Sequence, residues 1–206
     1  MRGRRRLIVE LVLLFLVLPT LLLFSLPRAL AAALIGTAFA YVLLVTWRRG
    51  WLRGRPAAAR KAADYRPILL RFAAFCVATT VTVTLLDRAA LFAVVVNNPL
   101  LWLAISAVYC VLSVVPQNLV FRVFFFERYQ HLFASRGAAL VVNAALFAWA
   151  HVIIAHPLVF ALTFCGGLLF AFSYLKHRSL VLVSLEHALY GLWLFTVGLG
   201  PYFAFP

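Results

Sequence analysis

The chain has very few acidic residues. Only five Asp or Glu stand against 19 Lys or Arg in 206 residues, and charged residues of both signs make up 12% of the sequence. Hydrophobic residues account for 66%. A water-soluble domain could not hide this apolar fraction, because most of a folded surface must face solvent. The composition therefore excludes a soluble globular domain and predicts an integral membrane protein.

The alternating patterns typical of transmembrane strands are also absent, and long apolar runs recur instead. One helical crossing of a bilayer core about 30 Å thick needs about 20 apolar residues. Helices satisfy their own backbone hydrogen bonds in lipid. We therefore expect an all-α, polytopic membrane bundle with seven or eight transmembrane helices. The candidate spans are 7–24, 29–47, 67–86, 100–115, 138–155, 158–175 and 180–199.

The number of crossings depends on the segment 117–133. It is long enough to cross a membrane, but it carries Arg122, Glu127, Arg128 and His131. If it crosses separately, every later loop changes side, and the basic residues at 176–178 lie outside. That outcome opposes the rule that short cytoplasmic loops carry Lys and Arg.

The positive charge is concentrated in two clusters, one before the first span and one in the loop after the second. By the positive-inside rule, both clusters are expected in the cytoplasm, beside anionic lipid headgroups. No basic domain interleaved with aromatic residues accompanies them, so nucleic acid is not an expected partner. The clusters consist of Arg2, Arg4, Arg5, Arg6, Arg48, Arg49, Arg53, Arg55, Arg60, Lys61 and Arg66.

The second basic cluster lies in the one polar linker of any length. It predicts a division between an N-terminal transmembrane hairpin with its basic loop, residues 1–66, and a larger bundle, residues 67–206. The first span and the Ala-Leu-Ala at 29–31 also fit a signal peptide with its cleavage site. The length of the apolar run and the span that follows at once favour a retained helix.

Small and aromatic residues inside the spans have ordinary packing interpretations. The three cysteines are far apart and lack metal-type spacing, which is typical of small buried hydrophobic residues. Gly166 and Gly167 indicate a close approach between two helices. The phenylalanine run at 121–126 is interpreted as a lipid-facing or packing surface.

Polar and charged groups inside membrane helices are costly, so each is a candidate functional residue facing the bundle interior. Residues four apart share a helix face, which pairs polar groups in three places. We expect these groups to line one cavity, with the two histidine ring centres within about 12 Å, the reach of one bridging group. The residues are Gln117, Asn118 and Arg122; Asn143, Phe147 and His151; and Glu186, His187 and Tyr190.

The order of these groups resembles the CAAX-protease and bacteriocin-processing (CPBP, or Abi) family. That family shows Glu-Glu-x-x-x-Arg, then Phe-x-x-x-His, then His-x-x-x-Asn or Asp on successive helices. Arg122, Phe147, His151 and His187 fill their places. The segment 184–200 resembles a bacterial branch that usually reads Pro-Gln-Glu where this chain has Pro-Gln-Asn at 116–118.

This resemblance implies an intramembrane glutamic endopeptidase, located in a bacterial cytoplasmic membrane and acting without a cofactor on a membrane-associated peptide or protein. In that family a carboxylate activates water with histidine help, and His or Asn groups stabilise the oxyanion. The implied catalytic positions are Gln117, Asn118, Arg122, His151 and His187. Asn143, Phe147, Glu186 and Tyr190 are expected to line the cavity.

The chain departs from the family pattern where the chemistry needs a base. Gln117 and Asn118 are neutral amides, and Gly191 stands where the last motif has Asn or Asp. Glu186 is not a substitute, because neighbours on a helix diverge by about 100°, and Glu127 lies nine residues beyond Asn118. We therefore expect little or no hydrolysis, and activity when glutamate is placed at position 118.

Other interpretations of the same residues stay open. A pseudoprotease or scaffold would use the cavity to hold a transmembrane segment. A proton or solute pathway through Arg122, His151 and His187 is less favoured, because no inverted repeat is visible. Zinc is not expected, since catalytic zinc needs three protein ligands and the first motif supplies none. Two further alternatives are that Arg122 snorkels to the membrane interface and that the histidines are structural.

Overall fold

The computed structural model describes residues 2–24, 26–53 and 65–203, and the regular structure in these ranges is entirely helical. Most of the helices are long, and four short 3₁₀ turns follow the second, third, sixth and eighth. We number the helices α1 (residues 2–21), α2 (Arg28–Arg48), α3 (Arg66–Leu86), α4 (Ala93–Asn97), α5 (Pro99–Leu132), α6 (Arg136–Trp149), α7 (Pro157–His177) and α8 (Leu180–Val197).

The predicted membrane bundle is confirmed. Six helical segments within the described residues are long and apolar enough to cross a bilayer: α2, α3, α5, α6 with the turn after it, α7 and α8. The seventh long helix is α1, which begins with the N-terminal arginines. The outer faces are apolar, as lipid requires, and Leu85, Leu86 and Leu100 are each about 80% exposed.

The segment 117–133, which left the number of crossings open, has no separate helix. It continues α5, which runs for 34 residues from Pro99 to Leu132 and contains the π-helical turns Tyr109–Val114 and Leu119–Phe124. At a rise of about 1.5 Å per residue, a helix of that length exceeds the roughly 30 Å hydrocarbon core. The described residues thus form seven long helices and the short α4, and the segment 117–133 does not add a further long helix.

Two ion pairs join distant segments at one end of the bundle. Arg128 in α5 binds Glu10 in α1, and Arg178 after α7 binds Glu127 in α5 at 2.9 Å. The start of α1 and the ends of α5 and α7 therefore lie together, at what we call the basic end. The described start of the loop after α2 lies near this end, since the Trp51 ring is 6.4 Å from the Phe124 ring, centre to centre. Residues 54–64 are outside the described ranges.

The hydrophobic core includes the N-terminal helices. Phe15 of α1 and Val42 of α2 belong to the same buried cluster as the α5 phenylalanines. Phe124, Phe125 and Phe126 have no exposed surface. Of the two interpretations of the phenylalanine run, packing surface is therefore the right one. The division of the chain at residue 66 stays a prediction.

Helix packing is tightest between α6 and α7. A Cβ added at Gly167 would lie 2.9 Å from the Cα of Ala144, closer than real Cβ contacts occur. The predicted close approach at the glycine pair is thus confirmed for Gly167.

Both ends of α8 are capped. At its start, the Ser179 hydroxyl accepts a hydrogen bond from the Leu182 N–H. The helix ends at Gly198, whose φ of 111° suits glycine.

Candidate active site

A large cavity lies between α3, α5, α6, α7 and α8, with a volume of about 1380 Å³. Its walls are mainly aliphatic and aromatic. Ala90, Gly198 and Pro201 line it at the end of the bundle opposite the basic end. The polar or ionisable side chains in its wall are few, and those important below are Arg71, Tyr109, Gln117, His151, His187 and Tyr190.

His187 is buried in α8 and held from two sides. The amide nitrogen Nδ2 of Asn118 donates to its Nδ1 at 3.1 Å. The Phe170 ring stacks on the imidazole, with ring centres 4.4 Å apart and planes 24° apart. Because an amide nitrogen can only donate, Nδ1 accepts, and the proton of the neutral ring is on Nε2. His187 can therefore offer an N–H donor.

His151 lies just after α6 and has the opposite arrangement. Its Nδ1–H donates to the carbonyl oxygen of Phe147 at 2.8 Å, which leaves Nε2 of the neutral ring as an acceptor. The Phe147 ring stands 4.9 Å from the His151 ring and 5.8 Å from the His187 ring, centre to centre. Adding these distances limits the separation of the imidazole centres to about 10.7 Å.

The two neighbouring amides of α5 have different surroundings. Gln117 lines the cavity, and its Nε2 donates to the Ser113 hydroxyl at 2.9 Å. Asn118 is 1% exposed and donates to the Val114 carbonyl at 3.0 Å as well as to His187. Gln117 is therefore the amide that a water molecule in the cavity can reach, while Asn118 supports His187 from behind.

Arg122 is fully buried, and none of the described carboxylates binds it. Its Nη1 donates to the side-chain oxygen of Asn143, and Nδ2 of the same Asn143 amide donates to the Phe121 carbonyl at 2.6 Å. The guanidinium carbon lies 4.7 Å from the centre of the Phe147 ring, a cation–π distance. Its Nε and Nη2 have no hydrogen-bond partner among the described residues. Arg122 and Asn143 lie behind the cavity wall and position Phe147.

Glu186 is buried in α8 and does not line the cavity. It binds Arg71 of α3 at 3.2 Å, and Arg71 itself lines the cavity. Glu127 and Glu10 are engaged by Arg178 and Arg128 at the basic end. In the described part of the chain, no carboxylate side chain lines the cavity.

The described residues contain no cluster of three His, Cys, Asp or Glu side chains that could hold a metal ion. Of the nine predicted site residues, five line the cavity: Gln117, Phe147, His151, His187 and Tyr190. The other four, Asn118, Arg122, Asn143 and Glu186, are buried behind it.

Sequence reasoning missed three residues of the site. Phe170 stacks on His187, and Arg71 is the charged residue of the cavity wall. The available signal for Arg71 was its position inside the third span. Tyr109 also lines the cavity, and no motif in the sequence indicates it. The sequence did show glycine in place of Asn or Asp at position 191, which lies beside Tyr109 in the structure.

A family model described as Type II CAAX prenyl endopeptidase Rce1-like matches residues 98–193. The matched region runs from the start of α5 into α8 and contains all nine predicted site residues. The match supports a relationship to the CAAX proteases over this region, and with it a lipid environment and a peptide or protein substrate. No curated protein and no solved structure matches the chain significantly.

Proposed function

We propose that this membrane protein, related to the CAAX proteases, holds a membrane-associated peptide in its cavity and, with the residues it has, hydrolyses that peptide slowly or not at all. The observation that carries the proposal is the cavity itself: a large apolar space with His151, His187 and Gln117 together in its wall. Such a space suits an extended apolar peptide, because apolar surface drives binding while a few polar groups orient the bond.

The two histidines offer complementary chemistry. Nε2 of His151 can accept a proton from water, and Nε2–H of His187 can donate to a carbonyl oxygen. Water that attacks a peptide carbonyl must lose a proton as it attacks, and a side-chain amide has no useful basicity near neutral pH. Gln117 can therefore orient a water molecule but cannot activate it. Any turnover in the unaltered chain would depend on His151.

The position of the missing carboxylate matters for the test. The sequence pattern alone favoured position 118, but Asn118 is buried against His187, whereas Gln117 lines the cavity. A carboxylate at 117 would meet water directly. One at 118 would lie against Nδ1 of His187 and would move that ring's proton to Nδ1, which would remove the donor on Nε2. We therefore expect glutamate at 117 to be the more effective.

The experiment compares the unaltered chain with Gln117→Glu and Asn118→Glu in proteoliposomes, using a library of apolar peptides and scoring cleavage by mass spectrometry. General-base help is worth about 10²–10⁴-fold. We expect cleavage at least about 10²-fold faster in Gln117→Glu than in the unaltered chain. His151→Ala in each background is the control, and it should abolish the gain.

Full activity in the unaltered chain that survives His151→Ala would contradict the site assignment. Inactivity of both glutamate variants, together with tight peptide binding, would favour the alternative function, a pseudoprotease or scaffold that retains a transmembrane segment. The observation that supports this alternative is the wall of the described cavity, which offers amides and histidines but no carboxylate.

In keeping with the basic clusters, we also propose a bacterial cytoplasmic membrane as the location, with the basic end of the bundle in the cytoplasm.

A further inference from the structure

Gly191 has no side chain, and the hydroxyl of another residue occupies the space where one would be. A Cβ built on Gly191 would lie 1.9 Å from the Tyr109 hydroxyl oxygen and 2.4 Å from its ring carbon Cζ. No side chain at position 191 is compatible with that placement. Glycine in α8 and tyrosine in α5 are therefore coupled, and the phenol enters the site because position 191 is empty.

The location of this space determines what the phenol adjoins. Gly191 follows His187 by four residues in α8, so the two positions share a helix face. The Tyr109 and His187 rings meet edge to face with centres 6.1 Å apart, and both residues line the cavity. The hydroxyl therefore enters the cavity beside the imidazole, one helical turn along α8.

The ring of Tyr109 is well held in this position. Phe195 packs against it edge to face at 5.0 Å between ring centres. Tyr109 also begins the π-helical turn Tyr109–Val114, and such turns are frequent at functional sites because they redirect side chains within a helix. A fixed hydroxyl of this kind pays little reorganisation when it meets a charge, which is the property a transition-state donor needs.

We propose that Tyr109 supplies, with His187, a pair of hydrogen-bond donors for the oxygen that becomes negative when a peptide carbonyl is attacked in this cavity. This inference rests on the proposed function. Water oxygen bonds to the carbonyl carbon, the carbonyl π pair moves onto its oxygen, and the proton of the water goes to Nε2 of His151 or to a carboxylate introduced at 117. Tyr109 and His187 keep their protons throughout and act by donation alone.

The test uses binding, so it does not require an active chain. A peptide with a phosphinic group at the scissile position mimics the tetrahedral, anionic state, and the matching peptide with an ordinary amide mimics the ground state. One oxyanion donor contributes about 10²–10³-fold to the transition state. We expect Tyr109→Phe to lower the affinity for the phosphinic peptide by about 10²-fold and the affinity for the amide peptide much less. Tyr202→Phe, outside the cavity wall, should change neither affinity.

The outcomes separate this inference from the function beneath it. If neither peptide binds the unaltered chain, the proposed function fails, and this inference fails with it. If both peptides bind and Tyr109→Phe changes the two affinities equally, the proposed role of Tyr109 is overturned while peptide binding stands.

A second variant tests the shared space. In a Tyr109→Ala background, Gly191→Asn places an amide donor in the volume that the phenol leaves, and affinity for the phosphinic peptide should partly return. A folded double variant with no gain over Tyr109→Ala would overturn the claim that the two positions supply one donor site.

Discussion

At the scale of single residues, the site is defined by neutral groups around a buried charge. Gln117 and Asn118 carry amides, and Arg122 is fully buried, with the oxygen of Asn143 as its one side-chain hydrogen-bond acceptor among the described residues. A charged group in a low-dielectric interior needs its hydrogen bonds more than a neutral one does. The interaction between Arg122 and Asn143 should therefore contribute to stability as well as to the position of Phe147.

Removing the Asn143 side chain tests this dependence. Hydrogen bonds to charged groups contribute about 1.5–3 kcal/mol, so Asn143→Ala should lower the free energy of unfolding by about that amount. In an Arg122→Met background, which has no guanidinium to satisfy, the same change should cost less. Reversible unfolding in mixed micelles with increasing denaturing detergent measures both values. Equal costs in the two backgrounds would show that the two residues act independently.

At the scale of helices, α5 carries most of the site. Tyr109, Gln117, Asn118 and Arg122 all belong to this one helix, and its two π-helical turns change the directions in which its side chains point. The histidines reach the same cavity because α6, α7 and α8 pack closely beside it. Gly167 of α7 makes one close approach in that set, to the Ala144 backbone of α6.

The glycine pair of α7 provides a matched test of this packing. Gly167→Ala places a Cβ against the Ala144 backbone, whereas Gly166→Ala meets only the Phe170 ring, at 3.2 Å. Overpacking costs about 1–3 kcal/mol, so Gly167→Ala should lower the free energy of unfolding by that amount and Gly166→Ala by less. The micelle unfolding assay applies here as well. A larger effect at Gly166 would place the tight contact elsewhere.

At the scale of the whole molecule, the length of α5 determines at which end of the bundle the later basic residues lie. With no separate helix for 117–133, α5 and α7 both end at the basic end, where Glu10 and Glu127 bind Arg128 and Arg178. The described basic residues at the start of α1, at the end of α2 and after α7 then lie at one end of the bundle. For the basic residues that the structure describes, that arrangement agrees with the positive-inside rule.

Cysteine labelling tests the orientation. The test uses a chain in which Cys76, Cys110 and Cys165 are replaced by alanine. Single cysteines are then placed at Leu52, which precedes α3 in the chain, and at Arg88, which follows it. A membrane-impermeant maleimide added to intact cells should label the cysteine at 88 and leave the one at 52 unlabelled until the membrane is opened. The reverse pattern would invert the proposed topology.

The sequence alone was enough to predict a helical membrane protein and to propose the residues of its candidate site. Apolar runs separated by short polar segments identify membrane helices, because the need to satisfy backbone groups in lipid leaves few alternatives. Helical spacing also placed Asn143, Phe147 and His151 on one face, and it turned Glu186 away from His187. These properties depend on local composition and on the geometry of a single helix, so they can be read from one sequence.

Which of these groups face the cavity depends on how the helices pack. Helix rotation and the π-helical turns put Gln117 in the wall and Asn118 behind it, although the two are neighbours in sequence. The phenylalanine run is buried rather than lipid-facing because α1 and α2 cover it. Tyr109 reaches the space above Gly191 from 82 positions away in the chain. Contacts of this kind depend on how separate helices cross and rotate against each other, and no local pattern contains that information.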